Sequence, residues 1–220
     1  YEWLPIRPPM GEQSPQIYRT FDFGNLISLH MLDTRVIARD KQLAYSDYKN
    51  LETKQMDVAR FASDLNNPNR QLLGNTQLNW LTSAITKSNA KWQVLGQQVL
   101  MTKMWLPTEI FSQSDRTKIP QVLKELVTIK KAVLANKAVT PEQLARVNTL
   151  MPYNLDAWDG YPSEREALYK SVTALNKKLV VVAGDTHNAW HGTLKNAKGE
   201  SVGVEFATPG VTSPGMEHYL

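Results

Sequence analysis

Residues 178–184, KLVVVAG, constrain the fold more than any other stretch, because five consecutive apolar residues after Lys178 leave no polar face. A run this short suits a strand buried on both faces of a sheet, although a buried helix shares the pattern. Residues 26–33, 92–99 and 202–208 are three more short apolar runs between polar or Gly/Pro signals, and they also read as strands. Helical patterns fall between them. Leu78, Leu81 and Ile85 share one face of a helix over 76–87, after the Gly74-Asn75 turn. Ser163 and Glu166 have capping-box spacing ahead of Leu168, Val172 and Leu175. Thr140 and Gln143 repeat that spacing, with Pro141 at a first helical position. Strands alternating with helices predict an α/β layered fold.

A length of 220 residues suits one domain, or one domain carrying an insertion. Residues 107–150, rich in Lys, Leu and Val at helical spacing, read as a helical insertion or lid. Residues 40–70 read as a polar helix and loop crossing the surface. The chain has no cysteine, which excludes disulfides and thiolate metal sites within it. A net charge of +4 without a Lys/Arg block gives no argument for nucleic acid. No apolar run reaches the roughly 20 residues of a membrane helix, so no transmembrane segment is expected. The opening YEWLPIRPP lacks an initiator Met and reads as the start of a truncated or processed piece, with any targeting segment already gone.

The polar residues that end the strands carry the chemistry. Asp185 and His187 follow the VVVA run two apart, and an extended backbone would point both the same way, offering a carboxylate and an imidazole to a metal ion. The competing reading is a turn with a surface histidine, with Gly184 either turning the backbone or admitting a ligand. Asp33 and Arg35 end the first run and share a face if the strand persists, as an ion pair or as an anion site matched to phosphate by the guanidinium fork. Residues 156–161 place Asp156, Trp158, Asp159, Gly160 and Tyr161 ahead of the last long helix, either as a turn or as a pocket lining. Gln97 and Gln98 interrupt an apolar alternation. Their amides either hold loop backbone or offer oxygen to a hard cation. His30 reads as a satisfied core histidine, His191 as a neighbour of any site at His187, and His218 carries no argument. No Gly-x-Ser-x-Gly elbow supports a serine hydrolase.

Taken in order, YEWLPIR, RTFDFGNLISLHMLDTR, QLLGNTQLNWL, KWQVLGQQVLM, LDAWDGYPSERE, VVVAGDTHNAW and VEFATPGVTSPG resemble the PhoD-type alkaline phosphatase/phosphodiesterase family of the calcineurin-like metallophosphoesterases. The resemblance implies a metallophosphoesterase-like layered sandwich of two facing mixed sheets flanked by helices, with residues 1–220 as its C-terminal part, incomplete at the N-terminus. It implies metal-dependent phosphate-ester hydrolysis with a metal-activated hydroxide as nucleophile, the metals being calcium, iron, manganese or zinc. Asp185 and His187 are the metal ligands it implies. Arg35 is the phosphate contact, Asp33 and Asp159 orient groups or metal-bound solvent, and Trp158 and Tyr161 line the substrate site; Arg7 is a weaker candidate.

The strand ending at Gly96 resembles the place where related phosphoesterases carry a His ligand after Gly, whereas Gln97 and Gln98 stand here. The family's early acidic motifs and its cysteine ligand are also absent, so a missing N-terminal segment is expected to carry further ligands. The alternative is a catalytically silent structural fragment that contributes only some ligands. Family members are typically exported by bacteria, which implies a periplasmic or secreted protein.

Overall fold

The computed structural model describes residues 16–50, 52–53, 55–113, 115–210 and 214–215; Arg7 and His218 lie outside them. In chain order its elements are β1 (Arg19–Phe23), β2 (Ile27–Met31), α1 (Val58–Leu65), α2 (Gly74–Lys87), β3 (Trp92–Gly96), β4 (Trp105–Pro107), α3 (Thr108–Ser112), α4 (Ile119–Leu134), α5 (Pro141–Asn148), β5 (Leu150–Pro152), α6 (Pro162–Ala174), β6 (Leu179–Ala183), β7 (Trp190–Lys195) and β8 (Ser201–Ala207). The chain forms two compact units, one from Tyr1–Thr102 and Leu155–Leu220 and the other from Lys103–Asn154.

The larger unit is built on one six-stranded mixed sheet, in the order β1-β2-β3-β6-β8-β7. The four central strands are parallel, while β1 and β7 close the edges antiparallel. Parallel neighbours need long crossovers, which the helical segments after β2 and β3 supply. The register aligns Ser28, Gln93, Leu179 and Gly203 in one row and His30, Leu95, Val181 and Glu205 in the next, and all of these side chains are buried apart from the glycine, which has none. This face lies on the side of α2, whose Trp80 meets Tyr18 and the His30 ring. Leu81 and Ile85 of α2 and Leu168, Tyr169 and Val172 of α6 complete the core.

The core carries polar groups, each held by partners. His30 is fully buried between the Thr20 hydroxyl at 2.8 Å and the Gln93 amide oxygen at 3.1 Å, the satisfied histidine that its place in a strand predicts. Glu205 accepts the Met101 and Thr102 amides at 2.8 and 2.6 Å, tying β8 to the loop after β3. Glu164 of α6 accepts the Leu72, Leu73 and Gly74 amides, the unpaired donors at the start of α2. The predicted Ser163–Glu166 capping box does not form, because Ser163 donates to the Asn66 carbonyl and Glu166 accepts the Ala197 amide. The buried stripe of α2 runs through Gln77, Leu81 and Ile85, with Gln77 in place of the expected Leu78.

The opposite sheet face is apolar and open, with Phe21, Phe23, Trp92, Val182, Val204 and Phe206 exposed; Phe23 reaches 59% and Phe206 51%. Among the described residues the larger unit has this one sheet, and the remaining strands form the β4–β5 ribbon within the smaller unit.

The smaller unit has its own core of Val122, Leu126, Ile129 and Val147. Arg146 of α5 grips Glu109 bidentately at 2.8 Å per bond and reaches Glu125 at 3.0 Å. Thr140 and Gln143 form the reciprocal cap that their spacing predicts.

Candidate phosphate site at the carboxyl edge of the sheet

The four parallel strands bring the segments that follow β2, β3, β6 and β8 to one edge, where open α/β sheets place their ligands. β2 ends at Met31, so Asp33 and Arg35 are not presented by strand alternation. Asp33 is buried, and its Oδ1 accepts the Arg35 and Val36 amides at 2.9 Å each, turning the chain off the sheet. The Asp-Arg contact is therefore carboxylate to backbone, and the guanidinium is left to act elsewhere.

Two glutamines fix this turn. Gln77 from α2 pairs with both the amide and the carbonyl of Asp33 at 2.8 Å. Gln98 accepts from the Thr34 amide and hydroxyl at 2.9 and 2.7 Å and donates to the Leu32 carbonyl at 2.9 Å. Gln98 thus holds loop backbone, the first of its two expected roles. Gln97 accepts the Trp158 indole N–H at 2.6 Å. Both amide oxygens are engaged, which leaves neither positioned as a cation ligand.

Arg35 reaches across β3 from the end of β2 to the end of β6. Its Nη1 donates to Asp156 Oδ2 at 2.6 Å and its Nη2 lies 3.0 Å from Asp185 Oδ1. Burial opposes the guanidinium charge, but the bond to Asp156, its charge and then Asp185 raise the Arg35 pKa above its ordinary value. The side chains of Arg35 and Asp185 are each about one-third exposed, at 35% and 36%, so the pair is open to a ligand. Asp156 is also gripped by Arg39, whose Nη2 donates to its Oδ1 and, at 2.9 Å, to its backbone carbonyl.

Asp185 and His187 are presented differently from the sequence expectation. β6 ends at Ala183, and both residues adopt left-handed backbone, with φ of 72° and 59°. Their side chains are therefore directed by a tight non-extended turn rather than by strand alternation. Such conformations are costly for residues other than glycine, and they cluster at functional sites. Carboxylate and imidazole suit a divalent or trivalent cation in kind. In number they fall short of a shell, because the described residues contain no group of three or more His, Cys, Asp or Glu that could hold one.

The motif over 156–161 divides. Asp156 lies at the site, whereas Trp158 and Tyr161 are completely buried and Asp159 pairs with buried Arg165 at 2.8 Å. Tyr161 donates to the Asp40 carbonyl at 2.8 Å and lies under the Arg39 and Arg70 guanidiniums, 5.5 and 4.8 Å from its ring centroid. These three residues are buried and present no open surface to a substrate. Arg39 and Gln77 are the members that sequence reasoning missed, while Asp156 was read only as a turn or pocket-lining acid without its pairing to Arg35. Of those two, Gln77 left a signal, a polar residue four positions before buried Leu81.

Fold and site define an α/β protein with a charged edge of paired Arg and Asp side chains beyond its parallel strands. The sequence matches the PhoD-like phosphatase description over residues 1–220, and the chain belongs to that family. It is 30% identical over 222 aligned residues to alkaline phosphatase D of Bacillus subtilis (strain 168), covering 98% of this chain and 30% of the relative. A solved structure described as "Structure of PhoD" superposes with a TM-score of 0.61 at 29% identity, over 97% of this chain and 33% of that one. The chain thus spans about a third of the length of the proteins it matches. No described helix is long and apolar enough to cross a membrane.

Proposed function

We propose that this chain supplies the phosphate-contacting edge of a phosphate-ester hydrolase of alkaline phosphatase/phosphodiesterase D type. The observation that carries the reading is the Arg35 guanidinium, held by Asp156 and directed at Asp185 beyond the parallel strands. A planar cationic fork at a half-open edge matches two oxygens of a phosphoryl group. Membership of a phosphatase family supports this reading over a silent structural piece.

Asp185 and His187 would hold a metal here, with further donors from outside the described residues. A metal so held would supply Lewis acidity for phosphate-ester chemistry. Arg35 binds the equatorial oxygens and offsets their charge as the ester bond breaks. Asp33 shapes the turn that presents Arg35, and Tyr161 lies under Arg39, which holds Asp156. The metal, whether calcium, iron, manganese or zinc, is distinguished by reconstitution.

The open apolar sheet face fits a two-sheet sandwich, since exposed apolar patches of this extent mark surfaces that are covered in the working protein. The helical unit over 103–154 is read as an insertion between β3 and α6, and the protein as exported. Hydrolysis of a chromogenic phosphate monoester and diester by the full protein, compared with Arg35→Ala, tests the reading. A raised KM on at least one ester supports it, and unchanged kinetics on every ester hydrolysed contradict it.

A further inference from the structure

We propose that Asp156 is a positioning residue that holds Arg35 in its phosphate-binding orientation, with Arg39 as the clamp that fixes Asp156. This rests on the reading of Arg35 as a phosphate contact. A long side chain that is one-third exposed loses rotamer freedom when fixed, so an arginine used for recognition needs an anchor. The Arg35 fork has two occupied ends. One meets Asp185 at 3.0 Å, on the β6 side of the site. The other meets Asp156 at 2.6 Å, and Asp156 is the more firmly held partner.

Three features immobilise Asp156. Arg39 bonds both its carboxylate and its backbone carbonyl, so side chain and main chain are held together. Arg39 lies over the buried Tyr161 ring, whose hydroxyl returns to the Asp40 carbonyl on the loop carrying Arg39. The adjoining turn is tightly wound, with no room for a Cβ at Gly160, where that atom would lie 2.0 Å from the Leu155 carbonyl oxygen. The Asp156 end of the fork is therefore the fixed one, and the Asp185 end is the one an incoming phosphoryl oxygen can replace. Without the Asp156 charge, Asp185 is the remaining carboxylate on Arg35 and draws the guanidinium out of the anion position.

The test is a mutant cycle in the full protein with Asp156→Asn, Arg35→Ala and the double substitution. It is read by calorimetric binding of inorganic phosphate and by KM and kcat for p-nitrophenyl phosphate and bis(p-nitrophenyl) phosphate. The expected result for Asp156→Asn is about tenfold weaker phosphate binding and a matching rise in KM, with kcat within about twofold. In the Arg35→Ala background the same substitution should change neither quantity. Arg39→Lys keeps the charge but loses the second contact, so it should give a smaller rise that also vanishes in the Arg35→Ala background; it tests the device if Asp156→Asn does not fold.

An equal loss from Asp156→Asn with and without Arg35 overturns the proposal, as does unchanged phosphate binding in the single variant. Unchanged binding in Arg35→Ala alone defeats the phosphate-contact reading instead, and the two failures are thereby distinguished.

Discussion

Arg35 and Asp185 follow strands that are not neighbours, β2 and β6 with β3 between them, yet the guanidinium and carboxylate lie 3.0 Å apart. The guanidinium spans the edge of the sheet, and its other end is fixed by Asp156 at 2.6 Å. Replacing Arg35 with Lys should therefore cost nearly as much as removing the side chain. Lys keeps a cation but cannot engage two partners through a planar fork, so Arg35→Lys should raise KM nearly as much as Arg35→Ala while both variants keep the wild-type Tm. Steady-state kinetics with thermal melts decide this, and full activity in Arg35→Lys would show that point charge alone suffices.

Two glycines near the site should respond oppositely to Ala. At Gly160 an added Cβ would meet the Leu155 carbonyl oxygen at 2.0 Å, whereas at Gly184 it would meet nothing within 4 Å. Gly160→Ala should cost at least about 1–3 kcal/mol of stability, the usual range for overpacking, while Gly184→Ala should stay near wild type. Urea unfolding of the two variants measures the difference. Equal stabilities would contradict the tight turn at 155–160.

Glu164 serves α2 from outside that helix, taking three amides that have no intrahelical partner. Burial raises its pKa against the pull of those bonds. Glu164→Ala should destabilise the larger unit by about 1–3 kcal/mol or more, because buried donors are left without an acceptor. Hydrogen exchange should show the loss first at the Leu72, Leu73 and Gly74 amides, and unchanged protection there would count against the assignment.

Burial lowers the His30 pKa, although Gln93 and Asp22 partly offset this. The unfolded chain then binds a proton near pH 6.5 while the folded chain does not. His30 therefore supports full stability above about pH 6.5, and stability falls as pH drops toward the depressed folded pKa. Equilibrium unfolding between about pH 5 and 8 should show this slope, and His30→Gln should flatten it. A slope unchanged by the substitution would assign it to another group.

The four central strands were legible because strands buried between neighbours read as apolar runs, as in LVVVA of β6. The edge strands β1 and β7 were not, since RTFDF and WHGTLK mix charged, aromatic and small residues that signal no single face. The strand-end location of Arg35, Asp185 and His187 was legible, but their presentation was not. Asp33 spends its carboxylate on backbone, and left-handed turns at Asp185 and His187 replace the extended chain that period-two reasoning assumes. Asp156 was legible as a turn or pocket-lining acid, but its pairing was not, because its partners lie 121 and 117 residues away in sequence and no local spacing encodes them.

The most direct measurement is the rate of phosphate-ester hydrolysis by the full protein carrying Asp185→Asn or His187→Ala, with circular dichroism confirming the native fold. Both ligand positions are proposed to serve the reacting centre, so each variant should lose at least about a hundredfold in kcat/KM, the scale expected when a catalytic metal is displaced. Wild-type rates in both correctly folded variants would contradict the assignment of this sheet edge as the hydrolytic site.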